Sequence, residues 1–283
     1  MPLEAHSTMH TKGIAEYAAY CSNLEELRAL LLWASKKEMP VTYLGGGSNS
    51  LVSDNGIKGL TILTGHLTRC HINGELFCTR SGLQLDRAID LAIEAGLSGL
   101  EMLGGIPGTV GGAIWGNAGT PTSTISDTLY YVDYLSKDGE IHRLQTHADE
   151  FSYRHSPFME MEDACIYEAG FRLRPTRQTA QLRLLKEGQK EKRRKARQYE
   201  YPSCGCIFKN PPGKFAGALI EQAGLKGKRI GDAMVSENHA NFIVNMGNAT
   251  ALEVHQLSLL IRKSVMEKFG VHLEYEVRFI GEW

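Results

Sequence analysis

The chain has 283 residues, with 31 Lys and Arg against 32 Asp and Glu, so its formal net charge is −1. This balance argues against a protein that binds nucleic acid or anionic membranes through its overall charge. A hydrophobic fraction of 42% excludes a disordered or fibrous chain, and the length predicts about two domains.

The cysteines and the N-terminus point to one cellular compartment. Six cysteines in a chain of this length are too few for a disulfide scaffold, which favours a reducing environment. The first twelve residues have no apolar core of signal-peptide length, and the longest apolar run, Ala29 to Ala34, is far shorter than the ~20 residues that span a bilayer. We expect a soluble, cytoplasmic protein.

The first predicted elements surround a glycine turn. Ser22-Asn23-Leu24-Glu25 has capping-box spacing and predicts a helix to about Lys37. Val41 to Leu44 is typical of a buried strand that opens into Gly45-Gly46-Gly47-Ser48-Asn49, and Leu60 to Leu63 of another. Such a turn suits a diphosphate, although it lacks the endings of a P-loop or a dinucleotide fingerprint. Alone, it is equally compatible with a tight chain reversal.

A second glycine-rich tract follows a second helix. Apolar spacing predicts this helix from Leu85 to Ala95, ending at Gly96. The tract from Gly104 to Gly119 is too rich in glycine for an ordinary helix interior, so we expect it to lie against a ligand or another backbone. Two loops that permit close approach are what an extended dinucleotide requires.

The middle of the chain contains strands and then a basic stretch. Tyr130–Leu135 and Glu140–Leu144 flank a hairpin signal, and Tyr167–Leu173 predicts a further strand. Lys186–Arg197 is strongly basic but has little aromatic interleaving, which favours a solvated helix or linker over a nucleic-acid patch. We place the domain boundary there and expect no nucleic-acid partner.

A smaller module ends the chain. It is predicted to contain a helix over Lys214–Ala223, a strand over Asn241–Val244, and a long helix capped by Thr250 and Glu253. Alternation over Leu273–Ile280 predicts a final strand with its charged residues on one face.

Several ordered motifs span nearly the whole chain. They are Gly45–Asn49, Gly105–Gly112, Asn117–Gly119, Phe151–Phe158, Ser203–Pro211 and Glu274–Gly281. These motifs are similar to those of the UDP-N-acetylenolpyruvoylglucosamine reductases, the first three to their FAD-binding half. The resemblance implies an α+β protein: a two-subdomain FAD-binding fold of the PCMH type over residues 1–185, with a boundary near residue 65, then a smaller α/β substrate-binding domain over 186–283 whose final strand returns toward the active site.

The resemblance also implies the reaction. NADPH would reduce non-covalently bound FAD, which would pass hydride to the enolpyruvyl double bond of UDP-N-acetylglucosamine enolpyruvate. The product would be UDP-N-acetylmuramate, for peptidoglycan precursor synthesis. Hydride addition leaves negative charge that spreads into the substrate carboxylate, so the site needs a stabilising group and a proton donor. We expect Arg154 to bind the carboxylate and Glu276 to work beside the developing enolate. The alternatives are a structural ion pair for Arg154, and for Glu276 a solvated position or a pair with Arg278.

The proton donor is where this chain departs from the family, because Cys206 stands at a position that is usually serine. A thiol, with an ordinary pKa of ~8.5, is a stronger acid than an aliphatic hydroxyl, so donation from Cys206 is chemically reasonable. Cys204 and Cys206 could also be metal ligands or a redox dithiol. No second ligand pair completes a metal site, so we expect none. We interpret Cys204 as a small residue in a turn.

Further contacts are implied by the resemblance. His239 could instead be an ordinary loop or core histidine. Only about 30 residues separate Asn210 from Asn241, so the chain resembles the shorter family subtype that lacks a tyrosine-bearing loop. The expected substrate-binding residues are Tyr153, Lys209, Asn210, Asn238 and His239, and the expected cofactor-binding residues are Gly45, Gly46, Gly47, Ser48, Asn49, Ile106, Pro107, Gly108, Thr109, Gly111, Gly112, Asn117, Ala118 and Gly119.

Two other functions remain open at this point. An FAD-linked oxidase of the same fold would act on a different small substrate, but it would not require the C-terminal motifs. A catalytically silent nucleotide-binding protein is supported only by the cysteine at the donor position. We expect a monomeric enzyme.

Overall fold

The computed structural model describes residues 1–161 and 163–283, in which helices and strands are mixed along the chain. The helices are α1 (Leu24–Lys36), α2 (Leu85–Glu94), α3 (Val110–Trp115), α4 (Thr179–Lys195), α5 (Ala216–Gln222) and α6 (Ala251–Phe269). The strands are β1 (Ala15–Tyr20), β2 (Val41–Leu44), β3 (Ser50–Val52), β4 (Ile57–Leu63), β5 (Cys70–Asn73), β6 (Leu76–Arg80), β7 (Leu97–Ser98), β8 (Gly119–Thr120), β9 (Ser123–Thr124), β10 (Leu129–Leu135), β11 (Ile141–Gln145), β12 (Cys165–Arg172), β13 (Arg174–Pro175), β14 (Ser203–Cys206), β15 (Arg229–Ile230), β16 (Ala233–Val235), β17 (Phe242–Asn245) and β18 (Arg278–Ile280). Short 3₁₀ helices lie at Glu4–His6, Thr64–His66, Glu101–Leu103, Ile125–Asp127, Ala148–Glu150 and Pro157–Met159.

The strands form sheets of different sizes. One has five strands in the order β11-β10-β12-β6-β5, one has four in the order β14-β17-β16-β15, and one has three in the order β1-β4-β2. The strands of the five-stranded and four-stranded sheets are antiparallel, whereas β2 runs parallel to β4. Within residues 1–161 and 163–283, no helix combines the length and apolar character needed to cross a membrane.

The chain divides into two compact units. The terminal unit comprises Met1–Glu16, Gly47–Lys58 and Arg193–Trp283, and the central unit comprises Tyr17–Gly46 and Gly59–Lys192. The first glycine turn is therefore divided between the units, after Gly46. The functional boundary that we predict at residues 185 and 186 stays a prediction.

The central unit contains a core beneath the five-stranded sheet. The buried face of α2 packs with Phe77 and Phe171 of that sheet. Leu85, Ala88, Ile89, Ala92 and Ile93 form that face, so the spacing that predicts the second helix also predicts its buried side. Gly139 adopts a φ of +77° between β10 and β11, as the hairpin signal requires.

A second core in the central unit surrounds α1. Leu27, Leu31 and Ala34 of this helix pack with residues of β4. The helix is confirmed, but its cap lies one residue later than the predicted box, because Asn23 accepts from the Glu26 N–H at 2.9 Å. The asparagine side chain satisfies the free N–H of the first turn, which is the function of an N-cap.

The terminal unit packs α6 against the four-stranded sheet. The predicted capping box is present, because Thr250 accepts from the Glu253 N–H and the Glu253 carboxylate accepts from Thr250. The helix ends at Gly270, which has a φ of +65°. Its predicted apolar face is buried, and it consists of Val254, Leu257, Ile261 and Val265.

The predicted last strand over Leu273–Ile280 is wrong in its extent. Regular pairing is confined to β18, which runs parallel to β3, while Tyr275 forms an isolated bridge with Phe208. The segment changes pairing partner along its length, so no single ladder forms. The alternation predicts burial only in part: Leu273 and Val277 are buried and Glu274 is exposed, but Tyr275 and Phe279 are half-buried, as are Glu276 and Arg278 of the charged face.

The second glycine tract contains the short helix α3, contrary to the expectation from glycine content. Thr109 caps this helix by accepting from the Gly112 N–H at 3.4 Å. A Cβ on Gly111 would lie 2.7 Å from Ser81 Cβ, so close packing explains a glycine inside the helix. Tertiary packing overrides local helix propensity here.

The composition of the basic stretch favours a solvated helix or a linker. The stretch is largely helical, but it is not entirely solvated. Lys186 of α4 is only 3% exposed and pairs with Asp90 at 2.6 Å. The basic composition of this stretch does not indicate that Lys186 is buried, because its acidic partner Asp90 lies far away in the sequence. A buried lysine is normally paired, as this one is.

Candidate active site

The second glycine tract lies beside the residues that lead into α2. Residues 108–111 exchange backbone hydrogen bonds with residues 81–85, including one of 2.7 Å from the Gly111 N–H to the Ser81 carbonyl. These backbone hydrogen bonds therefore hold this part of the tract against the start of α2. A side chain on Gly111 would enter the space that Ser81 occupies.

The first glycine tract meets the second within the central unit. A Cβ on Gly45 would lie 2.5 Å from Thr109 Oγ1, and a Cβ on Gly46 would lie 2.9 Å from Gly108 Cα. Real Cβ atoms essentially never approach so closely, so both glycines are needed for this contact. The structure thus brings together the two tracts that the sequence suggests for one ligand.

The remainder of the first turn belongs to the terminal unit. Gly47 has a φ of +60°, and a Cβ there would overlap the His6 carbonyl oxygen. The Asn49 side chain donates to the Glu276 carbonyl at 3.0 Å, and the Asn49 carbonyl accepts from the Arg278 N–H at 3.0 Å. Asn49 therefore holds the backbone that carries the predicted catalytic Glu276.

The central unit has features that fit a flavin nucleotide. Within the described residues, Ser81 Oγ and Asn117 Oδ1 are buried and have no hydrogen-bond partner. Unsatisfied buried polar atoms are destabilising, so both favour a ligand with N–H or O–H groups. The exposed backbone at Gly112 and the half-buried backbone at Gly108 leave room for close approach. Ile106 and Ala118 pack against the hydrophobic core of the central unit, and Pro107 is exposed. The predicted cofactor residues of this unit therefore fit FAD.

Arg154 lies in a tight turn that is bonded to the second glycine tract. Ser152 and His155 form an isolated antiparallel bridge across this turn. Arg154 has a φ of +54°, a left-handed conformation that is uncommon for residues other than glycine. The Asn117 side chain donates to the Ser152 carbonyl at 2.8 Å, which fixes the turn against the tract.

The Arg154 side chain is oriented from two directions. Its Nη2 donates to the Gly119 carbonyl at 3.2 Å, and the guanidinium lies 5.2 Å from the centroid of the Tyr153 ring. Tyr153 is 51% exposed. The two predicted ligand-binding residues Tyr153 and Gly119 are thus grouped with Arg154 in the central unit.

Four of the predicted catalytic and substrate-binding residues line a cavity of about 320 Å³ in the terminal unit. Phe215, Glu221 and Lys226 also line it, so its wall combines an exposed aromatic ring with charged groups of both signs. Lys209 is not part of this lining. The four predicted residues are Cys206, Asn210, Asn238 and His239.

The local backbone places Cys206 in this cavity. The pairing of β14 with β17 is irregular between Ser203 and Cys206, and Gly205 has a φ of +76°. Bulges of this kind redirect the side chain that follows them. Gly205 therefore supplies a conformation that most other residues adopt with strain, and Cys206 is only partly buried.

Cys204 has a different environment. It is fully buried in the core of the terminal unit, and burial raises the pKa of its thiol to about 12. A thiol held in this state is neither a ready metal ligand nor a reactive nucleophile. Cys204 is therefore a packing residue within β14, and its interpretation as a small residue in a turn is wrong.

The two asparagines of the cavity also bind protein groups. Asn210 Oδ1 accepts from the Ala216 N–H at 2.9 Å, at the start of α5. The Asn238 side chain donates to Glu200 at 2.9 Å. Their roles as substrate ligands stay predictions, and each has a structural contact as well.

His239 packs against the first residue of β17, an inner strand of the four-stranded sheet. Its ring lies 4.6 Å from the Phe242 ring, and Nδ1 is buried with no hydrogen-bond partner among the described residues. Burial lowers the pKa of His239, so the neutral form is favoured. A neutral imidazole offers the cavity either a donor or an acceptor nitrogen.

The segment that carries Glu276 is bonded to the segment that follows Cys206. The Glu276 N–H donates to the Ile207 carbonyl at 2.9 Å, and the Lys209 N–H donates to the Glu274 carbonyl at 2.9 Å. Lys209 Nζ also lies 4.0 Å from Glu274. The fold thus makes the predicted donor and the predicted acidic residue neighbours along one backbone ladder.

Two residues with clear roles at the site are absent from our predicted set. Asn241 accepts from the Phe208 N–H at 3.1 Å and donates to the Phe208 carbonyl at 2.7 Å, which locks the chain just after Cys206. Ser81 contributes the buried hydroxyl described above. A polar residue at the start of an apolar strand was a signal for Asn241, whereas nothing local distinguishes Ser81. In the part of the chain that the structure describes, no cluster of three or more His, Cys, Asp or Glu could hold a metal ion.

Comparisons with known proteins agree over almost the whole chain. An FAD-binding domain family matches residues 15–145, and the C-terminal domain of UDP-N-acetylenolpyruvoylglucosamine reductase matches residues 197–280. The UDP-N-acetylenolpyruvoylglucosamine reductase of Pediococcus pentosaceus is 38% identical over 99% of this chain and 93% of its own length. A second such reductase, from Bacillus cereus, is 40% identical over 99% of this chain and 91% of its own length.

A solved structure supports the same assignment and the predicted order of domains. The crystal structure of UDP-N-acetylenolpyruvylglucosamine reductase (MurB) from Thermus caldophilus aligns with a TM-score of 0.82 and 35% identity, over 99% of this chain and 97% of that one. An FAD-binding domain followed by a C-terminal reductase domain, with mixed helices and strands, confirms the fold class that the motifs imply. The chain is an FAD-dependent oxidoreductase that belongs to the UDP-N-acetylenolpyruvoylglucosamine reductase family.

Proposed function

We propose that this enzyme uses NADPH to reduce the enolpyruvyl group of UDP-N-acetylglucosamine enolpyruvate, which gives UDP-N-acetylmuramate. The glycine tracts, Ser81 and Asn117 of the central unit would hold FAD, which would supply the hydride-transfer chemistry between the nicotinamide and the double bond. The observation that carries the proposal is the terminal-unit cavity, where the Cys206 thiol lies among polar residues suited to a sugar nucleotide. The enzyme works as a cytoplasmic monomer.

Cys206 holds the proton that completes the reduction. Hydride addition at the terminal vinyl carbon places an electron pair on the adjacent carbon, and the Cys206 Sγ–H donates its proton there. The C–H bond forms as the S–H bond breaks, and the thiolate regains a proton from solvent. The partial burial of Cys206 in a polar cavity supports this role, because the thiol is accessible to a ligand.

Arg154 and Glu276 act on the charge that develops before this proton arrives. The Arg154 guanidinium binds the substrate carboxylate through its planar fork, and this interaction strengthens as negative charge spreads into the carboxylate. Its left-handed backbone supports a functional role, since such strain is often found at active sites. Glu276 works beside the enolate on a backbone fixed by Asn49 and Ile207.

The length of the C-terminal module supports the shorter family subtype. Only about 30 residues lie between Asn210 and Asn241, and they hold α5, β15 and β16 with short connections. This leaves little room for an inserted tyrosine-bearing loop. We therefore assign the chain to the shorter subtype, with an FAD-binding domain over residues 1–185 that also supplies Tyr153 and Arg154 to the substrate, and a substrate-binding domain over residues 186–283.

A two-step anaerobic experiment tests the function. NADPH should bleach the bound flavin, and authentic UDP-N-acetylglucosamine enolpyruvate should then restore its colour in one turnover. The product should be heavier by two hydrogen atoms in mass spectrometry. Flavin that stays reduced until oxygen is admitted would instead indicate an oxidase, and a protein that takes up no FAD would contradict the proposal. The same bleaching step with NADH measures the cofactor preference.

A further inference from the structure

A cluster of four charged residues joins α2 to α4 within the central unit. Lys186 Nζ lies 2.6 Å from Asp90 and 3.4 Å from Asp86. Lys190 Nζ lies 2.8 Å from the same Asp86 carboxylate oxygen that faces Lys186. The predicted catalytic and ligand-binding residues include none of these four, although two of them lie in the basic stretch that the sequence singles out.

Asp86 connects this cluster to the second glycine tract. Its Oδ2 faces the two lysines, while its Oδ1 accepts from the Gly105 N–H at 2.8 Å. Gly105 has a φ of +77° and opens the run of predicted cofactor residues at Ile106. One carboxylate therefore ties the start of the tract to the lysines of α4.

The backbone of α4 also lies against the start of the tract. A Cβ on Gly104 would lie 2.7 Å from both the Cγ and the carbonyl oxygen of Lys186. Lys186 itself is almost fully buried. The start of the tract is thus held by side-chain packing on α4 and by a charged hydrogen bond from α2.

Asp90 provides an internal comparison. It lies one helical turn beyond Asp86 and pairs with the same Lys186. In residues 1–161 and 163–283, its carboxylate bonds to that lysine and to no residue of the tract. Two acidic residues on one helix face therefore share a partner but differ in their contact with the tract.

We infer that Asp86 is a positioning residue for the flavin loop, through which Lys186 and Lys190 of α4 fix the start of the second glycine tract before FAD binds. A loop that is ordered in advance loses less conformational entropy on binding, so it holds its ligand more tightly. Partial burial alone would raise the pKa of Asp86, but the hydrogen bonds from Lys190 and Gly105 and the charge of Lys186 bring the pKa below its ordinary value. Asp86 is consequently ionised at neutral pH and is a strong acceptor.

The test compares Asp86→Ala with Asp90→Ala in the FAD-loaded enzyme. FAD release is followed by the recovery of free-flavin fluorescence after dilution, and the melting temperature is measured for both variants. We expect Asp86→Ala to release FAD about tenfold faster, and Asp90→Ala to stay within about twofold of wild type despite a comparable loss of stability. Asp86→Asn keeps an acceptor oxygen for Gly105, so it should be intermediate. Equal acceleration by both alanine variants would overturn the inference.

Hydrogen exchange gives a second readout that does not depend on activity. The peptide that covers residues 104–112 should exchange faster in Asp86→Ala than in Asp90→Ala. Should Asp86→Ala fail to fold, Lys190→Met removes one donor to Asp86 and should still speed FAD release about threefold. Its control is Glu187→Gln, which alters the exposed partner of Lys190 at 3.7 Å and should change nothing. Unchanged FAD release in Lys190→Met would contradict the role of α4.

Discussion

The glycine tracts of the central unit and the cavity of the terminal unit are built on different principles. In the central unit, backbone meets backbone, as where Gly46 approaches Gly108, so the site depends on missing side chains. In the terminal unit, the chemistry lies in side chains such as Cys206 that project into a cavity. We expect the contact between the two glycine tracts to tolerate no added atom, and the cavity to tolerate a substitution that keeps the chemical function.

The largest expected effect is at Cys206. Cys206→Ala removes the proton donor and should slow substrate reduction by about 10²–10⁴-fold, while flavin reduction by NADPH continues. Cys206→Ser keeps an O–H group in place and should stay within about tenfold of wild type. Single-turnover rates of flavin reoxidation measure both variants.

The control for this prediction is Cys70→Ala, which removes an exposed thiol on β5. It should behave like wild type in both half-reactions. Equal slowing of both half-reactions in Cys206→Ala would contradict a donor role and indicate damage to the fold.

Arg154 should show the next largest effect. Arg154→Lys keeps the charge but loses the planar fork, so kcat/KM for the enolpyruvyl substrate should fall by about 10²-fold. Flavin reduction by NADPH should change little. Arg177→Lys is the matched control, because Arg177 is exposed and lies outside the candidate site. An unchanged kcat/KM in Arg154→Lys would indicate that Arg154 has a structural role and does not bind the substrate carboxylate.

Gly46→Ala tests the backbone-built region. The added Cβ would meet Gly108 Cα at 2.9 Å, so the two tracts must separate, and we expect a loss of about 1–3 kcal/mol in stability together with weaker FAD binding. Denaturant unfolding and flavin retention after gel filtration measure the two effects.

Gly188→Ala is the control of opposite sign. Gly188 is exposed in α4, and a Cβ there would meet nothing within 4 Å. Alanine should therefore stabilise the protein by about 0.5–1 kcal/mol. A Gly46→Ala variant as stable as wild type would show that the tracts are not in tight contact.

The smallest expected effect concerns pH and His239. Burial lowers its pKa below the ordinary 6.5, so below that pH the unfolded chain binds a proton that the folded chain resists. His239 should therefore cost stability as the pH falls below about 6.5 and cost nothing above it. His239→Gln should flatten this part of the stability profile, and His71→Gln, at an exposed position on β5, should not. If the stability of His239→Gln kept the same dependence on pH, other groups would be responsible for that dependence.

The sequence predicts best where one residue type has one physical consequence. Clustered glycines predict close backbone approach, and the contact between Gly46 and Gly108 follows that rule. Helical apolar spacing predicts both the limits of α2 and its buried face. The resemblance supplies the set of candidate site residues, four of which share one cavity.

The sequence fails where a distant partner decides the outcome. The helix α3 forms because residues 108–111 bond to residues 81–85, although its composition disfavours a helix. Lys186 is buried because Asp90 pairs with it from 96 positions away. The terminal unit is formed by three segments that are separate in the sequence, and no local sequence pattern predicts that they pack together.

Anaerobic stopped-flow of both half-reactions, with Gly46→Ala and Cys206→Ala measured in parallel, tests the difference between the two regions most directly. In Gly46→Ala we predict that flavin is lost and that any retained flavin is reduced and reoxidised with altered rates. In Cys206→Ala we predict full flavin content, normal reduction by NADPH and slow reoxidation by the enolpyruvyl substrate. If both variants slowed the two half-reactions in equal proportion, the result would contradict separate roles for the glycine tracts of the central unit and for Cys206 in the cavity of the terminal unit.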